Sequence, residues 1–234
     1  MHNLSRRRLF CACGAVALSA ATLPALAQPH AASAQPGISP DQAIERLREG
    51  NRLFRVDDPF RPEVNQARRD MLTSGQQPFV ALLGCADSRT PPEALFHAGL
   101  GEIFAVRVAG NSALAGAVGS LEYAVSVLRV PLIVVMGHEG CGAVSAAKAV
   151  VDTGVVLPGA IGPMVAPIVP AVVQAMRAGA ADVTDAAMRT HAQLTARTLR
   201  TADGIISRAV ETGGLKVIAS YYSLDDGAVH ILPD

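Results

Sequence analysis

Four stretches of the chain are almost continuously apolar, rather than alternating between apolar and polar residues. They cover residues 79–85, 103–108, 131–137 and 215–222. A strand that is buried on both faces has this unbroken pattern, which is typical of parallel sheets covered by helices. A turn signal at Asp225-Asp226-Gly227 precedes a short apolar segment at 229–232, which indicates a hairpin to one further strand.

The segments between these strands have helical patterns. Ser39, Pro40 and Gln42 predict the start of a helix, because serine caps it, proline fits the first turn and glutamine completes a capping box. Further helices are predicted over 114–128, 141–151 and much of 160–212. Several prolines leave 154–170 unassigned. Strands that alternate with helices predict an α/β fold, with a mostly parallel central β-sheet, an antiparallel edge strand and flanking helices.

The first 27 residues have the pattern of an export signal peptide. Arg6 to Arg8 precede an apolar stretch that ends at Ala25-Leu26-Ala27, a small-residue cleavage pattern. Residues 5–10 (SRRRLF) are similar to a twin-arginine signal, so the periplasm is the expected location. An uncleaved membrane anchor is the alternative, and Pro24 within the apolar stretch disfavours it.

Residues 28–38 are rich in Ala, Pro and Ser and predict a flexible tether, followed by one domain over 39–234. Half of all residues are apolar and 17% are charged, which excludes disorder for most of the chain. The 20 Lys and Arg residues balance 20 Asp and Glu residues. Removal of the signal leaves 17 basic and 20 acidic residues. Neither balance supplies the positive surface that nucleic acid or an anionic membrane requires, so we expect neither as a partner.

Cys85, His138 and Cys141 are the candidate metal ligands. Cys85 ends one predicted strand, His138 follows another, and Cys141 comes three residues later at the start of a predicted helix. The carboxyl ends of parallel strands lie at one edge of a sheet, so these three residues are expected to converge there. Two thiolates and an imidazole suit zinc, and three protein ligands leave the open fourth position of a catalytic site.

Two charged residues follow the first cysteine closely. Asp87 is two residues and Arg89 four residues after Cys85. A guanidinium binds a carboxylate in a two-pronged pair, so Arg89 is expected to hold Asp87 away from the metal. Asp87 then stays ionised and accepts a hydrogen bond from the attacking nucleophile. These two residues are the predicted catalytic pair.

Four segments carry a resemblance to a known family. They are CADSRTPPE (85–93), VRVAGN (106–111), GSLEYAV (119–125) and HEGCGAV (138–144). The first and last resemble the two signatures of β-class carbonic anhydrases, and the other two are also similar to that family. The resemblance extends from about Pro40 to the C-terminus. It implies that 39–234 is one catalytic domain, which hydrates carbon dioxide reversibly to bicarbonate and a proton.

The resemblance also implies the roles of further residues. Cys85, His138 and Cys141 match the ligands of one zinc ion per subunit, and Asp87 and Arg89 match the catalytic pair. Substrate binding is expected of Gln76, Phe104 and Tyr123, which match residues of the plant-like subtype of the family. It is also expected of Gly142, because backbone N–H groups near it can polarise a substrate oxygen. The two aromatic residues come from a partner subunit in that subtype, so a homodimer or higher homo-oligomer is expected. A different subtype uses a tryptophan, and this chain has none.

Two other functions remain open on the sequence. The first is hydrolysis of carbonyl sulfide or carbon disulfide, because relatives of that kind share the ligand motifs. The second is a non-enzymatic redox module in which Cys85 and Cys141 form a disulfide. The Asp87 and Arg89 pair favours an enzyme. Among the remaining polar residues, we expect His191 to be solvated on a helix surface and Glu139 to point towards solvent.

Overall fold

The computed structural model describes residues 37–234 of the chain. The predicted export signal over 1–27 and residues 28–36 of the predicted tether lie outside the described residues. Among the helices of residues 37–234, none has the length and hydropathy to cross a membrane.

A five-stranded sheet has the order β2-β1-β3-β4-β5. The strands are β1 (Val80–Gly84), β2 (Ile103–Arg107), β3 (Leu132–His138), β4 (Lys216–Tyr222) and β5 (Val229–Ile231). Strands β1 to β4 pair with one another in parallel, and the edge strand β5 pairs antiparallel with β4. The predicted fold class is therefore confirmed, and each strand lies within a residue or two of its predicted bounds.

The helices flank this sheet. They are α1 (Pro40–Arg55), α2 (Gln66–Leu72), α3 (Pro92–Leu95), α4 (Ala115–Ser126), α5 (Gly142–Thr153), α6 (Ile161–Val165), α7 (Val169–Arg177), α8 (Val183–Thr201) and α9 (Ile205–Glu211). In the proline-containing stretch, a 3-10 turn over Ala166–Ile168 joins α6 to α7. Helix α1 begins where the sequence predicts, because Ser39 and Gln42 form the capping box.

Both faces of the central strands are buried, as their apolar runs predict. Leu83 and Val135 belong to a core cluster that α4, α8 and α9 cover. Leu82 and Val134, one residue earlier in each strand, belong to a second cluster that α1 and α3 cover. Successive side chains of a strand point to opposite faces, so a strand between two helical layers needs an apolar residue at every position.

The position of His191 differs from the expectation. The residue lies on α8, which packs against the sheet, and its side chain is only 3% exposed. It shares the buried face of that helix with Met188, Ala192 and Thr195. The expectation of a solvated histidine was wrong, because the helical register rather than the polarity of neighbouring residues decides which side chains face the sheet.

Candidate metal centre

Two neighbouring parallel strands bring the candidate ligands to one edge of the sheet. Cys85 follows directly after β1, and His138 is the last residue of β3. These strands are paired, with Leu83 opposite Val135. Cys141 occupies the N-cap position of α5, three residues after His138. The convergence expected at the carboxyl ends of the strands is therefore present.

The three side chains form a compact buried cluster. Their ligand atoms all lie within 4.8 Å of one another, and all three residues are buried. The sulfur atoms of Cys85 and Cys141 are 4.0 Å apart, and both thiols are free. A disulfide has an S–S length of about 2.0 Å, so the cysteines are not bridged. Two sulfurs on one tetrahedral zinc, each about 2.3 Å from the metal, are separated by about 3.8 Å, which the observed spacing approaches.

The orientation of His138 also suits a metal ligand. Its Nδ1 donates a hydrogen bond to the backbone oxygen of Glu139 over 2.8 Å. Its Nε2 is buried and, among residues 37–234, has no hydrogen-bond partner. A proton on Nδ1 leaves the Nε2 lone pair free, and a buried acceptor without a partner is costly unless a ligand satisfies it. The cluster therefore fits zinc in the spacing of its ligand atoms, in their chemical type and in the unpartnered lone pair of Nε2.

The backbone around the cluster stabilises negative charge on sulfur. The N–H of Gly110 donates to Cys85 Sγ over 3.3 Å. The hydrogen bond between the Cys85 and Cys141 sulfurs is the main cause that holds the pKa of Cys85 well below its usual range. The same hydrogen bond and burial raise the pKa of Cys141. A metal ion that binds both sulfurs would displace the protons that they carry.

Arg89 holds Asp87 beside the cluster, as predicted. Its Nε donates to Oδ1 over 2.9 Å and its Nη2 donates to Oδ2 over 2.7 Å. The backbone N–H of Arg89 also donates to Oδ1, over 2.9 Å. The guanidinium hydrogen bonds keep the pKa of Asp87 well below its usual range, so the carboxylate is ionised at any pH near neutrality. Nη2 additionally reaches the backbone oxygen of Gly140 over 3.2 Å.

Arg107 is a site residue that our sequence reasoning missed. Its Nε donates to the backbone oxygen of Cys85 over 2.9 Å, and its Nη2 donates to that of Asp87 over 2.5 Å. Arg107 ends β2, the neighbour of β1, and so it fixes the loop that presents both functional side chains. Its charge within an otherwise apolar strand was the available signal, because such a charge needs a partner nearby.

Glu139 is half-buried, and its carboxylate is bound to the protein rather than freely solvated. Its Oε2 accepts hydrogen bonds from Ser223 Oγ and from the backbone N–H groups of Leu224 and Asp225, at 3.1, 2.8 and 3.3 Å. The expectation for Glu139 was wrong, because the β4–β5 turn that supplies these donors is distant in sequence. This carboxylate anchors the turn next to His138.

The other predicted site residues lie at several places around the fold. Gln76 is exposed in the segment between α2 and β1, and Gly142 is the exposed first residue of α5. The rings of Phe104 on β2 and Tyr123 on α4 are 6.3 Å apart, and Tyr123 is 40% exposed. Roles for these four residues in substrate binding stay predictions.

Comparisons with known proteins agree with this geometry. The carbonic anhydrase family model matches residues 80–229, a range that contains the whole cluster. Carbonic anhydrase 2 of Mycobacterium tuberculosis is 39% identical over 192 residues, covering 82% of this chain and 92% of the relative. A carbonic anhydrase of Mycolicibacterium smegmatis is 37% identical over 196 residues, covering 84% and 95%.

Solved structures show the same fold at lower sequence identity. A tetrameric β-carbonic anhydrase of the ascomycete Sordaria macrospora matches with a TM-score of 0.66 at 22% identity, covering 73% of this chain and 88% of that one. The family model and the relatives place residues 80–229 in one enzyme family, and the solved structures share its architecture. The chain belongs to the β-class carbonic anhydrase family and is an enzyme of that family.

Proposed function

We propose that this protein catalyses the zinc-dependent, reversible hydration of carbon dioxide to bicarbonate and a proton. The observation that carries the proposal is the buried cluster of Cys85, His138 and Cys141, with ligand atoms within 4.8 Å of one another. One zinc ion per subunit fits this donor set, with the two cysteines as thiolates and His138 binding through Nε2. Zinc in such a site lowers the pKa of a water ligand and so supplies a nucleophile near neutral pH.

Asp87 orients the proton of the attacking group in this proposal. A carboxylate offers about four acceptor positions, and Arg89 uses three of them, two on Oδ1 and one on Oδ2. One position on Oδ2 therefore remains for a donor in the active site. Because the carboxylate is ionised, it accepts a hydrogen bond from an O–H group and disfavours a group that has no hydrogen to donate.

Arg89 restrains the carboxylate of Asp87, which lies two residues after the candidate ligand Cys85. An ionised Asp87 released from this pair is itself a good zinc ligand, and it would then close the fourth position. A further hydrogen bond of Arg89, to the Gly140 oxygen, fixes the guanidinium relative to the loop that contains His138 and Cys141. Arg89 therefore keeps the site open by geometry as well as by charge.

We further propose that substrate binding involves groups outside the cluster. The Gln76 amide is assigned to polarise the substrate oxygen by resemblance to the plant-like subtype. The Gly142 N–H is assigned the same role because a backbone donor beside the metal ligands can stabilise charge on that oxygen. Phe104 and Tyr123 are assigned to the apolar wall of the pocket of a partner subunit. The relative from Sordaria macrospora is described as tetrameric, which supports a homodimer or higher homo-oligomer for this chain.

A stopped-flow assay of purified protein tests the function. Carbon dioxide hydration is expected to rise far above the uncatalysed rate, in protein whose zinc content is measured on the same sample. Carbonyl sulfide and carbon disulfide are assayed in parallel, and slow turnover of both is expected. Zinc-loaded protein that hydrolyses either substrate and leaves carbon dioxide unhydrated would refute the proposal.

The periplasm is the proposed location, reached through the twin-arginine pathway. Residues 5–10 support it, because the paired arginines precede an apolar stretch and a small-residue cleavage pattern. The double substitution Arg6→Lys and Arg7→Lys is expected to retain the protein in the cytoplasm of a Gram-negative host. The substitution Arg8→Lys is the matched control and is expected to leave export intact. Cell fractionation measures both variants.

A further inference from the structure

The backbone turn after β2 presents a hydrogen-bond donor to one of the candidate metal ligands. Gly110 and Asn111 both have positive φ angles, 75° and 45°, in the left-handed region. A Cβ on Gly110 would lie 2.5 Å from Ile168 Cδ1, so only glycine fits. In this conformation the Gly110 N–H points at Cys85 Sγ, 3.3 Å away. Asn111 has a Cβ and therefore costs free energy in this region, so the surrounding structure must hold the turn in place.

His191 supplies such a restraint from the opposite side of the turn. Its Nε2 lies 3.1 Å from the Oγ of Ser112, which is completely buried. That hydroxyl is in turn 3.5 Å from the backbone oxygen of Gly110. Burial lowers the pKa of His191 to about 4, so the ring is neutral near pH 7. We assign its proton to Nε2, which donates to Ser112, while the serine hydroxyl donates to Gly110.

A buried imidazole at this position is costly unless it has a specific role. Its Nδ1 is also buried and has no hydrogen-bond partner among residues 37–234. A leucine would fill the same place on the apolar face of α8 without leaving a polar atom unsatisfied. The one polar contact that His191 makes through Nε2 is with the turn that contacts Cys85.

We propose that His191 is a positioning residue for the metal centre, acting through Ser112 to keep the Gly110 N–H on the sulfur of Cys85. The inference rests on the proposed function only in that Cys85 binds a metal. An N–H donor directed at a ligand atom fixes its orientation and reduces the charge that the thiolate carries. Partners of this kind, one step removed from the metal, commonly change metal affinity by about 10- to 100-fold when they are removed.

Three substitutions separate this role from simple core packing. Gln at position 191 places an amide near the Nε2 position, so His191→Gln is expected to retain the hydrogen bond to Ser112. His191→Leu fills the space without a donor, and Ser112→Ala removes the middle of the chain of hydrogen bonds. Leu199→Ala is the matched control, because Leu199 is buried on the same helix and belongs to a core cluster that includes none of residues 109–112.

The readouts are zinc affinity, from competition with a chelator, and the sulfur-to-metal charge-transfer band of the cobalt(II)-substituted protein. We expect His191→Leu and Ser112→Ala each to weaken zinc binding by about tenfold or more and to shift the cobalt band. His191→Gln is expected to restore both values to near those of the unsubstituted protein. Leu199→Ala is expected to lose thermal stability with neither readout changed.

Unchanged zinc affinity and an unchanged cobalt band in both His191→Leu and Ser112→Ala would overturn the inference. A shift of equal size in Leu199→Ala would also overturn it, because general loosening of the core would then explain the effect. If His191→Leu fails to fold, Ser112→Ala decides alone. Neither readout uses carbon dioxide, so the two proposals can fail separately. A protein that binds zinc without hydrating carbon dioxide would refute the proposed function, and the test of His191 would remain valid.

Discussion

Arg89 binds both carboxylate oxygens of Asp87, at 2.9 and 2.7 Å, and reaches across to the backbone oxygen of Gly140. The pair thus connects the loop after β1 with the loop after β3, the two loops that supply the candidate zinc ligands. Asp87 is fixed in orientation as well as ionised, so its free acceptor position faces a defined direction. The catalytic proposal depends on this arrangement.

Substitution of Asp87 by asparagine tests the role of the carboxylate. The asparagine amide has nearly the same shape as the carboxylate, but its –NH2 group only donates hydrogen bonds. It therefore cannot accept a hydrogen bond from the guanidinium or from the attacking group. Zinc content is expected to stay at one per chain while kcat falls by about a hundredfold or more. Asp226→Asn, at an exposed acid paired with Arg55, is the control and should keep full activity. Undiminished turnover in Asp87→Asn would exclude the acceptor role.

Substitution of Arg89 tests whether a fixed geometry is required in addition to positive charge. Lysine keeps the charge but cannot make the two-pronged pair, so Arg89→Lys is expected to lose about tenfold in kcat/KM. Arg89→Ala releases Asp87 entirely and is expected to lose more activity with zinc still bound. Steady-state kinetics with zinc analysis measures both. If Arg89→Lys matched the unsubstituted enzyme, charge alone would suffice and the two-pronged pair would be unnecessary.

Removal of one thiolate tests the metal centre. Cys141→Ala leaves two protein ligands, which hold zinc far less tightly than three, so we expect zinc content and activity to fall together towards zero. His230→Ala is the control, because His230 is an exposed histidine on β5, away from the cluster. Elemental analysis after dialysis gives the zinc content. Full zinc occupancy in folded Cys141→Ala would show that the metal is bound elsewhere.

The burial of His191 predicts a specific pH dependence of stability. Its pKa is lowered by burial to about 4, against about 6.5 in an unfolded chain. The unfolded state therefore binds more protons between these values, so the free energy of unfolding falls as the pH drops from 6.5 to 4, by about 3 kcal/mol in total. Denaturant titrations across this range measure the loss. The glutamine of His191→Gln cannot titrate, so the free energy of unfolding of this variant should fall less over the same pH range, by the amount that His191 contributes. An equal fall in both proteins would contradict the prediction.

The sheet and the metal cluster were predictable from the sequence, for different reasons. Strands buried on both faces give unbroken apolar runs, and β1 and β3 have them. Parallel strands end at the same edge, so Cys85 and His138 could be placed together although 52 residues separate them. The elements within 154–170 could not be placed, because prolines at helix starts and prolines that break helices look alike in a sequence.

Two polar residues were misread, and only one of them had a usable signal. Buried residues recur along α8 with the spacing of one helix face: Ala187, Met188, His191, Ala192, Thr195, Ala196 and Leu199. That spacing places His191 inside, so attention to register would have found it. Glu139 had no such signal. Its donors in the turn at 223–225 are more than 80 residues away, and only the folded chain brings them together.

The most direct measurement titrates zinc into metal-free protein and follows carbon dioxide hydration by stopped flow at each step. The account predicts that the rate rises in proportion to the zinc bound and levels off at one zinc per chain, with no rise in Cys141→Ala. Activity in the metal-free protein, or a fully loaded protein that leaves carbon dioxide at its uncatalysed rate, would contradict it.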